Sequence, residues 1–296
     1  ETSLISGGIA VKNAMQLKAI IKNMAKSKNI SAQIVLQNFM LERLLERISV
    51  SSYRENFILK GGFLIAALVG LDTRATMDMD ATVKGMPVNP DTIMKMFEEI
   101  CAIEIDDDVT FVVKRIEEIR ESDEYAGFRL TLEALYQPMA VPLKIDITTG
   151  DKITPKEIVY EFRLMLEQRS IKVLAYNLET ILAEKLETII SRGDQNTRPR
   201  EYYDVFIIRQ LQWNNVDSSA LKDALKATAE KRDTSAVMQR YAGIIAIVEK
   251  SETMKKHWLD YQAQFDYARD IQYADVCRTI KEILDGIVIS SNHAVR

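Results

Sequence analysis

Two kinds of hydrophobic pattern divide the chain. Before about residue 153, short segments of strand-like alternation are interleaved with a few helical stretches; after it, helical spacing dominates. Residues 31–49 are expected to form an amphipathic helix. Ser31 suits the N-cap, and Ile34, Val35, Phe39, Leu41, Leu44, Leu45 and Ile48 recur at helical spacing. A short apolar strand over 57–59 runs into Lys60-Gly61-Gly62, and 63–69 reads as a short helix. Strands are expected over 76–83, 109–116, 128–135 and 141–147, with a helix over 91–103. Pro138 and Pro142 punctuate the last two strands as a hairpin. Helices are expected over 155–168, 178–192, 200–212, 218–231, 234–250 and 267–288. The reading is an α+β protein: a mixed domain over 1–153 with N-terminal helices, then a helical domain over 154–296.

Composition narrows this little. At 296 residues, 47% hydrophobic and 28% charged, the chain has room for two globular domains. Cys101 and Cys277 offer neither metal-ligand spacing nor a disulfide framework, as expected in the reducing cytoplasm. No apolar run approaches the ~18 residues of a membrane span, so no membrane partner is expected. The chain opens on Glu1 rather than methionine, so preceding residues are expected. A net charge of −4 opposes nucleic-acid binding by bulk charge. It leaves room for a local basic surface built from Lys222, Lys226, Lys231, Arg232, Lys250, Lys255 and Lys256, unless these are simply a solvated face.

Candidate chemistry lies in the alternation itself. Side chains on a strand alternate faces, so Thr76, Asp78, Asp80 and Thr82 share one face while Met77, Met79, Ala81 and Val83 share the other. On the strand over 141–147, Val141, Leu143, Ile145 and Ile147 face one way, and Lys144 and Asp146 the other. Three carboxylates on neighbouring strands repel unless a cation lies between them, and Mg²⁺ suits their oxygen ligands. Asp146 could alternatively draw the proton from an attacking hydroxyl. Solvent-facing acids on one side of a sheet are the plainer alternative.

Gly61-Gly62 joins a strand to a helix start, where backbone N–H groups favour an anion. A simple tight turn would use the same residues. Lys60 is either a phosphate contact or a strand cap, and Arg74 and Thr76 are placed to reach triphosphate oxygens, with an exposed turn arginine as the bland option for Arg74. Further on, Lys185 falls inside the apolar sector formed by Leu178, Ile181, Leu182, Leu186 and Ile189, at ~100° per residue. Such a lysine is snorkelling, paired, or touching a bound anion. Asp204 shares a face with Ile207, Ile208 and Leu211 and is expected to orient Lys185 or Arg200, with a purely structural buried salt bridge as the alternative.

Lys60-Gly61-Gly62, Arg74-x-Thr76-x-Asp78-x-Asp80 and Lys144-Ile145-Asp146 together resemble the polymerase-beta-like nucleotidyltransferase signature. With Lys185 and Arg198-x-Arg200-Glu201-x-x-Asp204, the set resembles the AbiEii/AbiGii toxin family, whose late motif runs R-x-K-D-x-x-D. Arg200 and Glu201 depart from that motif while keeping its charges, and Phe63 stands where a small residue is usual. The resemblance implies a small mixed sheet flanked by helices, followed by a helical domain. It implies a bacterial abortive-infection toxin acting in the cytoplasm, with a cognate antitoxin that need not bind it stably. It implies Mg²⁺-dependent transfer of a nucleotide from a nucleoside triphosphate, with the 3′ end of tRNA as acceptor. Asp78, Asp80 and Asp146 would hold the metal, and Asp78, Asp80, Asp146, Lys185 and Asp204 would be catalytic. Lys60, Gly61, Gly62, Arg74, Thr76, Lys185 and Arg200 would bind nucleotide. Two rival readings are a nucleotidyltransferase acting on a protein or a small molecule such as an antibiotic, and a non-catalytic GTP-binding protein.

Overall fold

The computed structural model describes residues 13–121 and 125–289; residues 1–12, inside the expected first domain, lie outside the described residues. Two helices lead: α1 (Ala14–Lys28), capped by Asn13, and α2 (Ala32–Val50), capped by Ser31. Then follow β1 (Phe57–Lys60), α3 (Gly61–Val69), β2 (Met79–Val83), α4 (Pro90–Cys101), β3 (Thr110–Glu121), β4 (Tyr125–Tyr136), β5 (Met139–Thr149), β6 (Ile158–Arg163) and β7 (Ser170–Ala175). The seven strands form one mixed sheet in the order β3-β4-β5-β2-β1-β7-β6. β4 and β5 form the expected hairpin, and β2 pairs parallel with β5. Alternation along β5 is as read: Val141, Leu143, Ile145 and Ile147 are buried, while Lys144 is exposed and Asp146 half-buried.

Helices continue the chain: α5 (Leu178–Arg192), α6 (Pro199–Leu211), α7 (Ser218–Lys231), α8 (Ser235–Met238), α9 (Tyr241–Lys250), α10 (Glu252–Gln264) and α11 (Tyr273–Ile289). The chain folds into two compact units, one of residues 1–151 with 158–175, the other of 152–157 with 176–296. The expected helix over 155–168 is corrected: that stretch carries β6, which pairs antiparallel with β7 at one edge of the sheet. The strand expected over 76–83 begins only at Met79, so Thr76 and Asp78 sit in the segment leading into β2.

α2 is the helix expected over 31–49, and its charged positions are buried along with its apolar ones. Glu42, Arg43, Glu46 and Arg47 are all buried, so their charges must be met inside the protein. Arg47 forks onto Asp107 with two hydrogen bonds of 2.8 Å, donates to the carbonyls of Arg43, Ile103 and Val109, and lies over the Phe111 ring. Arg43 pairs with Glu46 at 3.3 Å and Glu167 at 2.5 Å, and Arg169 reaches Glu46 at 2.5 Å. Glu42 accepts the Met165 N–H at 2.7 Å, and burial pushes its carboxyl up to about 8, against the lowering effects of that bond and of Arg43.

A carboxyl raised this way costs stability as pH rises. Between its ordinary value of 4.5 and about 8 the unfolded chain is ionised while folded Glu42 keeps its proton, so the folded state binds more protons and loses stability through that window. Glu42→Gln removes the titration and keeps an acceptor for Met165. Thermal melts should show the variant gaining on wild type steadily from about pH 5 to about pH 8. A pH-independent difference between the two would refute this account.

Candidate active site

A row of four residues crosses one face of the sheet. Arg129 on β4 is opposite Asp146 on β5, Asp146 is opposite Asp80 on β2, and Asp80 is opposite Lys60 on β1. Direct cross-strand partners share a face, so two acids lie side by side with a base at either end. Arg129 forks onto Asp146, with Nε and Nη2 at 2.7 and 2.6 Å from its two oxygens. Lys60 turns to Thr148 Oγ1 and Asp151 Oδ2, both at 2.7 Å. Its two alternatives, phosphate contact and strand cap, are thus joined by a third: an ion pair with Asp151.

Asp80 lies against the diglycine. Gly62 N–H donates to Asp80 Oδ2 at 3.2 Å. Gly61 has φ +66°, and a Cβ there would lie 2.0 Å from the same oxygen. Gly61 and Gly62 are themselves the first residues of α3, so this helix start meets a carboxylate directly. On the other side of Gly62, an added Cβ would meet Thr76 Oγ1 at 3.0 Å and Arg74 Nη2 at 3.2 Å. Arg74 is therefore no exposed turn residue: it is buried and donates to the Ala75 carbonyl at 2.5 Å. The segment carrying Thr76 and Asp78 is anchored from α2, where buried Asn38 donates to the Thr76 carbonyl at 2.7 Å. The Thr76 hydroxyl lies 3.4 Å from the Asp78 carbonyl.

The guanidinium of Arg129 is held above its ordinary value, first by its hydrogen bond to Asp146, against desolvation, then by the charges of Asp146, Asp78 and Asp80. All three aspartates thus act on one cation. Among the described residues, no group of three or more His, Cys, Asp or Glu side chains is arranged to hold a metal ion. In this arrangement Asp146 is engaged by Arg129, and Asp80 accepts the Gly62 N–H. The donor set still fits a divalent cation. It offers hard carboxylate oxygens, two of the carboxylates stand opposite each other on paired strands, and a positive group already lies among them.

The second unit holds the other expected residues. Lys185 on α5 reaches Glu201 at 2.6 Å and Asp204 at 3.0 Å, both on α6. Asp204 is fully buried, and Lys185 and Glu201 are nearly so, at 15% and 14% side-chain exposure. The paired reading of Lys185 therefore holds over snorkelling, and Asp204 turns to Lys185, while Arg200 is exposed on the first turn of α6. Of the candidate basic surface, Lys226 pairs with Glu230, Arg232 with Glu187 and Lys255 with Glu252. Arg129, Asn38 and Asp151 escaped the sequence reading. Arg129 had a signal: a two-residue turn at Gln137–Pro138 puts it opposite Asp146.

The chain is similar to several solved structures. A protein from H. pylori assigned as a nucleotidyltransferase aligns with a TM-score of 0.50 at 12% identity, covering 90% of this chain and 100% of its own. JHP933 from Helicobacter pylori gives 0.48 at 14% identity, covering 90% and 99%. An antigenic nucleotidyltransferase-like protein from Paracoccidioides brasiliensis gives 0.36 at 15%, covering 78% and 95%. No curated protein matches the sequence. The family to which the sequence belongs makes the protein a nucleotidyltransferase. The family model for the nucleotidyl transferase AbiEii toxin of type IV toxin–antitoxin systems matches residues 43–285, and the chain belongs to that family. Membership implies a nucleotide substrate and an antitoxin partner, and enzymes of this kind generally use a divalent metal. No described helix is long and apolar enough to cross a membrane.

Proposed function

We propose that the protein transfers a nucleotide from a nucleoside triphosphate to the 3′ end of tRNA, with Mg²⁺, arresting growth during phage infection. The observation that carries the reading is the meeting of the diglycine helix start with Asp80, beside Asp146 on the paired strand. Asp78 and Asp80 would hold the metal, with Asp146 as third carboxylate or as base. Gly61 and Gly62 would seat the triphosphate, with Arg74 and Thr76 behind them. Bound Mg²⁺ would neutralise charge on the phosphate oxygens. The acceptor hydroxyl oxygen attacks the α-phosphorus, the bond from that phosphorus to the bridging oxygen breaks, and pyrophosphate leaves with the electron pair. In the base role Asp146 accepts the hydroxyl proton. The chain's contribution is positioning and charge neutralisation. The tRNA acceptor rests on the family resemblance, and work on tRNA would place the toxin in the cytoplasm.

The test is incubation with each of the four labelled nucleoside triphosphates, Mg²⁺ and total RNA. Label should enter the tRNA band. Asp78→Asn should reduce transfer at least ~100-fold, as expected when a group that stabilises developing charge is lost. Label found in protein or in a small molecule would replace the acceptor. Transfer undiminished in Asp78→Asn would remove the metal assignment.

A further inference from the structure

We propose that Arg129 is a built-in counter-cation of the aspartate site, and that its fork must leave Asp146 before a divalent cation is held there. The inference rests on the reading in which Asp146 is the third carboxylate or the base.

Three observations support it. Both oxygens of Asp146 are engaged by Arg129, at 2.7 and 2.6 Å, so a metal or a hydroxyl proton would have to compete for a carboxylate whose charge the guanidinium already neutralises. The fork is fixed by strand register, since Arg129 and Asp146 are direct partners across the β4–β5 hairpin. The pair is also unequally buried: Arg129 is 38% exposed and Asp146 only 14%. The base can therefore swing into solvent without opening the core, whereas the acid stays where it is.

The device has a chemical purpose. Asp80 and Asp146 stand opposite each other on parallel strands, with Asp78 two residues before Asp80. Without a cation such a cluster is repulsive. At the far end of the row Lys60 is engaged by Thr148 and Asp151. Arg129, at the other end, is bound to one of the row's acids. A guanidinium and a divalent cation on one carboxylate repel each other, so filling the site and releasing the fork are coupled.

The test is titration of Mn²⁺ into the full chain, followed by calorimetry and by the spin-resonance signal of free Mn²⁺. Wild type, Arg129→Gln, Arg129→Lys and Asp146→Asn are compared, each with a non-hydrolysable nucleoside triphosphate. Arg129→Gln should bind Mn²⁺ about tenfold more tightly, the scale of one charge-assisted hydrogen-bonded pair removed from competition. Arg129→Lys keeps the charge without the planar fork and should fall between. Asp146→Asn should bind more weakly than wild type. Without metal, Arg129→Gln should melt below wild type, and Mn²⁺ should narrow the gap. Equal or weaker Mn²⁺ binding in Arg129→Gln overturns the counter-cation role and leaves the metal reading intact. If Arg129→Gln does not fold, Arg129→Lys decides, and affinity no higher than wild type overturns it. No Mn²⁺ binding by wild type or by either Arg129 variant overturns both readings.

Discussion

Gly61→Ala should abolish nucleotide transfer and destabilise the protein, whereas Gly62→Ala should do much less. At Gly61 two effects add. Its φ of +66° is left-handed, which costs an L-residue ~1–2 kcal/mol. Its new methyl would also lie 2.0 Å from Asp80 Oδ2, 2.6 Å from Cγ and 2.7 Å from Cβ. The clash involves the whole acid head, so it can be relieved only by moving Asp80 or shifting the start of α3. Overpacking of that kind costs ~1–3 kcal/mol, which with the backbone term gives about 2–5 kcal/mol. Moving Asp80 also spoils the feature on which the proposed chemistry depends. At Gly62 the nearest atoms are Thr76 Oγ1 at 3.0 Å and Arg74 Nη2 at 3.2 Å, ends of side chains that can give by a few tenths of an ångström. Thermal melts and the labelled-nucleotide assay should separate the two variants. If Gly61→Ala keeps wild-type stability and activity, the close approach of backbone to carboxylate is not a requirement of the fold or the site.

That contrast marks how far the sequence could be read. Local pattern carried the strand faces: the polarity of 141–147 correctly put Asp146 opposite the buried Ile145 and Ile147. The diglycine's place between strand and helix was also legible. Its contact with Asp80 was not, because it depends on β1 and β2 pairing antiparallel with Lys60 opposite Asp80. β6 was hidden for a different reason. It is an edge strand whose alternation is confined to Tyr160-Glu161-Phe162-Arg163, and Leu164, Met165, Leu166 and Glu167 beyond it are good helix formers. α10 was missed because it buries just Met254, Trp258 and Tyr261, too sparse an apolar stripe to stand out from its charges. α2 was legible as a helix, but the burial of its charged positions was not. Its charged positions look like a solvent face, and only the distant Asp107, Glu167 and Arg169 explain how they can be buried. Charge partners far apart in the chain are what periodicity cannot supply. The same limit hid Arg129, except that hairpin arithmetic was available there.

Lys185→Met should destabilise the second unit strongly, and adding Asp204→Asn should restore much of the loss. Lys185 neutralises two acids, Glu201 at 2.6 Å and the fully buried Asp204 at 3.0 Å. Replacing it with an apolar chain of similar length keeps the packing within the Leu178, Ile181, Leu182, Leu186 and Ile189 sector but leaves an acid buried without its cation. Removing one partner of a buried pair costs roughly 3–5 kcal/mol, more than the pair's net worth, because the remaining charge stays desolvated. Asparagine at 204 removes that charge while keeping hydrogen-bonding capacity, so the double variant should melt well above Lys185→Met. Compared with Asp204→Asn alone, because Asp204 is itself a candidate catalytic residue, the double variant also separates structure from chemistry. If Lys185 has only a structural role, the rescued protein should transfer nucleotide at close to the rate of Asp204→Asn. If the ammonium group serves the nucleotide, as the family's late motif implies, the rescued protein should be folded and still inactive. A melt for the double variant no higher than that of Lys185→Met would show that the buried charge of Asp204 is not what makes Lys185 necessary.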